Sequence, residues 1–158
     1  MTKHAETCDL DEDCTCHVSR GIDFSIPGRA QPAGSKRAFV RGGRAHVVDA
    51  NPKAGAWKER VAICARAAYD GPLIDRAVRL ALTVTLARPA GHFTPKGALK
   101  GSARKFPSVK PDLTKYLRAV EDACTGIIWR DDAQVIQVDA VKVYGDSDVV
   151  HIHIDAFD

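Results

Sequence analysis

The sequence predicts an α+β fold: a small mixed β-sheet with two helices packed on one face, in the order βββαβαββ. Three observations point there. Six runs are β-prone, most of them alternating apolar and polar residues, and two longer runs repeat apolar residues at helical spacing. The two helical runs fall singly among the strands, a pattern that places helices on one face of a mixed sheet. The length of 158 residues allows one core and excludes two ordinary domains.

The elements follow in order. Residues 1–20 hold three of the five cysteines, show no apolar period and read as an appendage to a domain spanning residues 21–158. The run GIDFSIP sets Ile22, Phe24 and Ile26 on one face of a strand that Pro27 stops. Gly42-Gly43 then separates two β-prone runs as a hairpin, around which Lys36, Arg37, Arg41 and Arg44 cluster. Asn51-Pro52 supplies a cap and first turn for a helix over about residues 52–69, where Trp57, Val61, Cys64, Ala65 and Ala68 share a face. Val78, Leu80, Leu82, Val84 and Leu86 alternate along a long, half-buried strand.

Residues 88–110 form a long loop that carries Lys96, Lys100, Arg104 and Lys105 and no acid. An unbroken positive sign suits a phosphate backbone. A second helix over residues 113–124 has an apolar stripe of Leu113, Tyr116, Leu117, Val120 and Cys124, with Gly126 beyond its end. Two alternating strands, VIQVDAVKVYG and DVVHIHIDAF, complete the chain.

Composition bounds the function. With 45% apolar and 27% charged residues the chain is that of a folded globular protein, and a net charge of +3 does not by itself announce a nucleic-acid partner. No run reaches the ~18 apolar residues of a membrane span, and the N-terminus lacks a signal-peptide core, so a cytoplasmic protein with no membrane contact is expected. The odd cysteine count favours reduced thiols or a metal site over disulfides.

The chemistry concentrates in KPDLTKYLRAVEDACTGIIWRDDAQV. Asp112 stands at the start of the second helix, and Asp131-Asp132 follow a short apolar run after it. Three carboxylates beneath a basic loop suit phosphodiester hydrolysis, in which Mg²⁺ neutralises the scissile phosphate and activates water, while Arg118 or Lys115 stabilises the developing charge. On spacing alone the same acids read first as a helix cap and a solvated turn. Asp122 reads as the i, i+4 ion-pair partner of Arg118, and His151 and His153, without an acid or cysteine partner in sequence, as ordinary strand residues.

Pro111-Asp112-Leu113-Thr114-Lys115-Tyr116-Leu117-Arg118 and Trp129-Arg130-Asp131-Asp132-Ala133-Gln134-Val135 together resemble the signature of the RusA family of Holliday junction resolvases. The resemblance implies a dimeric, Mg²⁺- or Mn²⁺-dependent endonuclease that resolves four-way DNA junctions by paired symmetric nicks in recombination and repair. It assigns metal-binding roles to Asp112 and Asp132, with Asp131 beside them, and a catalytic role to Arg118. Two departures stand out: Thr114 occupies a position where many members have a second acid, and Arg118 one where some have lysine. Arginine keeps the charge and cannot act as a general base.

Outside that region, Cys8, Cys14, Cys16 and His17 offer soft ligands for Zn²⁺, although their spacing matches no common zinc motif. Two other functions are therefore weighed beside the resolvase: a branched-DNA-binding module that does not cut, and a small zinc-binding regulator.

Overall fold

In the computed structural model, residues 21–34, 36–49 and 51–157 are described. The elements are β1 (Ile22–Pro27), β2 (Lys36–Arg41), β3 (Arg44–Asp49), α1 (Ala54–Ala68), β4 (Val78–Ala87), α2 (Leu113–Cys124), β5 (Val135–Gly145) and β6 (Val149–Ala156). The order is βββαβαββ, as expected.

The alternation in β4 organises the molecule. Val78, Leu80, Leu82, Val84 and Leu86 are all buried, and the residues between them are not. Each buried branched side chain contributes about 1.5–3 kcal/mol. This strand lies inside a four-stranded sheet of order β1-β6-β4-β5, antiparallel to β6 and parallel to β5. The parallel pairing needs a crossover, which α2 and the basic loop before it supply.

Both helices cover the face that β4 makes apolar. Trp57, Val61 and Ala65 from α1 share one core with Tyr116, Ala119, Val120, Ala123 and Cys124 from α2, and with Ile26, Val150, Ile152 and Ile154 from the sheet. Burial pushes the Cys124 thiol up to about 12, so it packs as a neutral apolar group. Asn51 and Pro52 are not the cap and first turn of α1: Asn51 Oδ1 accepts from the Lys53 N–H at 3.1 Å in a turn ahead of the helix, whose N-cap is Lys53 with no side-chain capping bond.

One expectation is corrected by packing. Asp122 pairs not with Arg118 but with Lys58 of α1, Nζ to Oδ2 at 2.5 Å, because α1 lies alongside α2 and presents Lys58 opposite it. The β2–β3 hairpin forms its own two-stranded sheet rather than extending the mixed one. Its Gly42 and Gly43, at φ 59° and 73°, take the left-handed turn that matches strand twist, while Phe39, Val40 and Val47 stay exposed. Residues with no buried face give the hairpin nothing to add to the core.

The sheet's other face is polar. Ser25 and His151 share a hydrogen bond of 2.8 Å, and Arg79 binds Asp139 at 2.6 Å. His153 sits between Asp23, 2.7 Å from Nδ1, and Asp155, 2.9 Å from Nε2. The reading of His153 as a strand residue without an acid partner is corrected: Asp155, two residues on along the same strand face, is one partner, and the antiparallel register sets Asp23 directly opposite as the other.

The hydrogen bond to Asp23 raises the His153 pKa above its ordinary value, with the charge of Asp155 adding to it and partial burial opposing. A raised folded-state pKa stabilises the fold fully below the unfolded value of about 6.5 and progressively less as pH rises through the folded value. Melting temperature should therefore fall over that window, and His153→Gln should flatten the fall. An unchanged pH profile in His153→Gln would remove the imidazolium from this role.

Candidate active site

Lys142 of β5 fixes where α2 begins. Its ammonium donates to the carbonyls of Val109 at 2.6 Å and Pro111 at 2.9 Å, which ties the end of the basic loop to the sheet. Asp112 follows at once as the N-cap residue of α2, yet its carboxylate makes no capping hydrogen bond. It is 58% exposed, with the Lys115 ammonium 3.7 Å away. A carboxylate at an N-cap that does not cap is held in place and left free to bind.

The second group of acids is set by Gln134. Its carbonyl oxygen accepts from the backbone N–H of Arg130 at 2.8 Å and Asp131 at 2.9 Å. Its amide donates to the carbonyls of Ile74 at 2.9 Å and Arg76 at 2.8 Å, just before β4. One side chain thus clamps the Asp131-Asp132 turn to the strand entering the core. Below it, the fully buried Trp129 donates to Thr125 Oγ1 at 3.1 Å, and Gly126 at φ 77° turns the chain out of α2.

The neighbouring acids differ in duty. Asp131 accepts from the Ala133 N–H at 2.8 Å and completes a capping box with Gln134 on the 3₁₀ turn Asp132–Gln134. Asp132 is exposed and its carboxylate is in no hydrogen bond or ion pair among the described residues. Spacing alone does not tell the two apart; the turn geometry does.

Glu121 is an acid near the motif that sequence reasoning passed over. It lies half-buried on α2, and burial, together with the charges of Asp132 and Asp122, raises its pKa while Arg118 pulls it down. Arg118, Glu121 and Asp132 therefore share one electrostatic neighbourhood. The signal was present as Thr114, Arg118 and Glu121 at i, i+4 and i+7 on one helical face. Arg118, Thr114 and Lys115 also line a cleft of about 280 Å³ against Ala33 and Gly34. The Ala33 N–H donates to the Lys115 carbonyl at 2.9 Å and holds that wall in place.

Asp112 is nine residues from Glu121, about 13 Å along the helix axis. Among the described residues no three His, Cys, Asp or Glu side chains converge as a metal cage. Mg²⁺ does not require one, since it commonly takes one or two carboxylates and fills its shell with water and substrate phosphate. Asp132 beside Glu121, and Asp112 alone, are hard oxygen donors of that kind, and a cation would relieve the repulsion that Asp132 and Glu121 exert on each other. The donor set fits a hydrated cation completed by substrate.

The basic loop is ordered by its own bonds. Phe93 and Leu99 form an antiparallel bridge, Lys100 Nζ donates to the Gly91 carbonyl at 2.8 Å, and Arg104 reaches the Ser108 carbonyl at 3.3 Å. Lys96, Lys100, Arg104 and Lys105 are in no ion pair among the described residues, and all four are exposed. Arg41 and Arg44 are exposed on the hairpin, whereas nothing is described of the Lys36 and Arg37 side chains. Cys8, Cys14, Cys16 and His17 lie outside the described residues, and no described helix is long and apolar enough to cross a membrane.

The family model described as Endodeoxyribonuclease RusA matches residues 27–155 of this chain. A Bacillus subtilis (strain 168) protein described as Uncharacterized protein YqaN is similar at 29% identity over 137 residues, which span 84% of this chain and 94% of that protein.

Removing the Gln134 amide should release the acidic turn. Gln134→Ala deletes four hydrogen bonds and leaves the Ile74 and Arg76 carbonyls without their donor, a loss of about 2–4 kcal/mol in denaturant unfolding. Wild-type stability in that variant would mean that the turn is held by other contacts.

Proposed function

Because the chain belongs to the RusA endodeoxyribonuclease family, we propose that it is a divalent-metal-dependent nuclease that resolves four-way DNA junctions by paired nicks. The observation that carries this reading is the release of two motif carboxylates from structural duty. Asp112 occupies an N-cap without capping, and Asp132 stays free while Asp131 takes the capping role.

Chemistry and grip divide among the residues. Asp132 with Glu121 near it, and Asp112 on its own, would each hold Mg²⁺ or Mn²⁺ completed by water and substrate phosphate. The bound cation supplies charge neutralisation at the phosphate and a water of lowered pKa. A guanidinium offers donors and no acceptor, so the role of Arg118 is to stabilise the anionic phosphate from the cleft it shares with Lys115. Lys96, Lys100, Arg104 and Lys105 of the loop, with Arg41 and Arg44 of the hairpin, would track the phosphate backbone and leave sequence unread.

Two symmetric nicks require two active sites, and one chain carries one set of these acids. A two-fold homodimer follows as the working assembly. Thr114, which presents a neutral hydroxyl in the Arg118 cleft, favours one second reading, a module that binds junctions without cutting them. A cleavage assay on a synthetic four-way junction in Mg²⁺ decides between the two.

Asp112→Asn keeps the size of the side chain and removes a charge that a hard cation needs. Cleavage should fall by orders of magnitude while junction binding persists or tightens, since one negative charge near the DNA is removed. Wild-type cleavage by this variant would discard Asp112 as a metal ligand.

The loop makes a separate prediction. Replacing Lys96, Lys100, Arg104 and Lys105 by Gln should weaken junction binding and lower the log–log salt slope by about 0.9 for each phosphate that is no longer neutralised. An unaltered slope would take the loop out of the DNA interface.

A further inference from the structure

Asn51 stands ahead of α1 without capping it, and its side chain ties two distant segments together instead. Its Oδ1 accepts from the Lys53 N–H at 3.1 Å, and its Nδ2 donates to the Pro32 carbonyl at 3.1 Å, with Gln31 Oε1 3.5 Å away. The two partners fix which way the amide faces, since an N–H needs the oxygen and a carbonyl needs the NH₂. The Asn51 carbonyl also accepts from the Ala54 N–H at 3.1 Å, so this half-buried residue is anchored to the start of α1.

Pro32 belongs to a strap, residues 28–34, that runs from the end of β1 to the cleft of Thr114, Lys115 and Arg118. The start of the strap is fixed by the Gly28 N–H, which donates to the Asp148 carbonyl at 2.8 Å, and Ala30 is buried in the core. Its end, Ala33-Gly34, is the wall of the cleft. Among the described residues that end is held by Asn51 on Pro32 and by the Lys115 carbonyl on the Ala33 N–H at 2.9 Å. Gly34 brings no side chain to the wall, so the separation of its backbone from Arg118 decides how much room a phosphate has. After Gly34 the chain builds the hairpin that carries Arg41 and Arg44, and it returns at Asn51. The Asn51–Pro32 bond thus closes the base of the hairpin at the edge of the cleft.

We propose that Asn51 is a positioning residue for the Arg118 cleft, holding the strap at the separation at which the guanidinium meets the phosphate. The proposal rests on the nuclease reading and adds to it a residue outside the motif on which the rate of cleavage depends. Arginine makes the cleft sensitive to its wall. A guanidinium donates through a planar fork and needs its phosphate at one angle, whereas a lysine ammonium on a flexible stem follows a displaced phosphate.

Asn51→Asp keeps the size and the acceptor for the Lys53 N–H and turns an oxygen toward the Pro32 carbonyl, so it breaks the strap contact alone. Asn51→Ala removes both contacts and adds no charge. Each is made in the full-length protein, with Arg118 intact and with Arg118→Lys. The readouts are single-turnover cleavage of a four-way junction in Mg²⁺ at saturating protein, junction affinity in Ca²⁺, and melting. With Arg118 intact, both changes should slow cleavage about tenfold to a hundredfold, the cost of a misplacement on the order of an ångström. The affinity of Asn51→Ala should stay within about twofold of the wild type. With Arg118→Lys the same changes should slow cleavage by no more than about twofold, because both residues act through one cleft. An equal slowing in both backgrounds, or a loss confined to affinity, would overturn the assignment. Failure of both variants to melt cooperatively would overturn it too, by making Asn51 a residue of the fold. If the wild type cuts the junction and Asn51→Asp cuts it equally fast, only the positioning role falls. If the wild type cuts no junction, the proposed function falls and the role with it.

Discussion

The side-chain amide of Gln134 is the contact on which the position of the acidic turn depends. It satisfies two donors on the turn and two acceptors ahead of β4, so the loop carrying Asp131 and Asp132 cannot move without breaking four hydrogen bonds. The carbonyls of Ile74 and Arg76 precede the strand whose alternate residues form the centre of the core. The turn is thus tied to the strand at the centre of the core. Lys142 does for Asp112 what Gln134 does for Asp132, by holding the Val109 and Pro111 carbonyls against β5. Both clamps are polar side chains that serve main-chain groups, which lets flexible-looking segments carry groups that need fixed positions.

The molecule keeps its dry and wet functions apart. Helices α1 and α2 bury the apolar face of the sheet, and Lys58–Asp122 ties them to each other at their margin. Residues assigned to chemistry sit where α2 and β5 begin, outside the core, so they can be charged without the cost of burying a charge. Glu121 is the exception. Its half-buried carboxylate beside Asp132 is disfavoured as an anion, which is the condition that a bound cation would relieve.

Periodic features were legible in the sequence because periodicity is a local property. The β4 alternation and the Gly42-Gly43 turn reappear in the structure at the same residues, and of the α2 stripe Tyr116, Val120 and Cys124 are buried, with Ala119 and Ala123 beside them and Leu113 and Leu117 half-buried. Features that depend on neighbours from distant parts of the chain were not legible. Asp122 had a plausible partner four residues away and took one from another helix. Asp155 stood two residues from His153 on the same strand face, but the second acid, Asp23, came to it only through strand register. For the site, the motif located Asp112, Asp131 and Asp132, and only the geometry of the 3₁₀ turn showed which of the last two is spent on capping.

The whole site turns on that division of labour between adjacent aspartates, and one paired measurement tests it directly. Asp131→Ala and Asp132→Ala would each be assayed for unfolding free energy and for single-turnover cleavage of a four-way junction in Mg²⁺. Removing the Asp131 cap should cost about 0.5–2 kcal/mol of stability, whereas removing Asp132 should leave stability nearly unchanged and reduce cleavage by orders of magnitude. Full cleavage by Asp132→Ala, with the loss of activity confined to Asp131→Ala, would contradict the assignment.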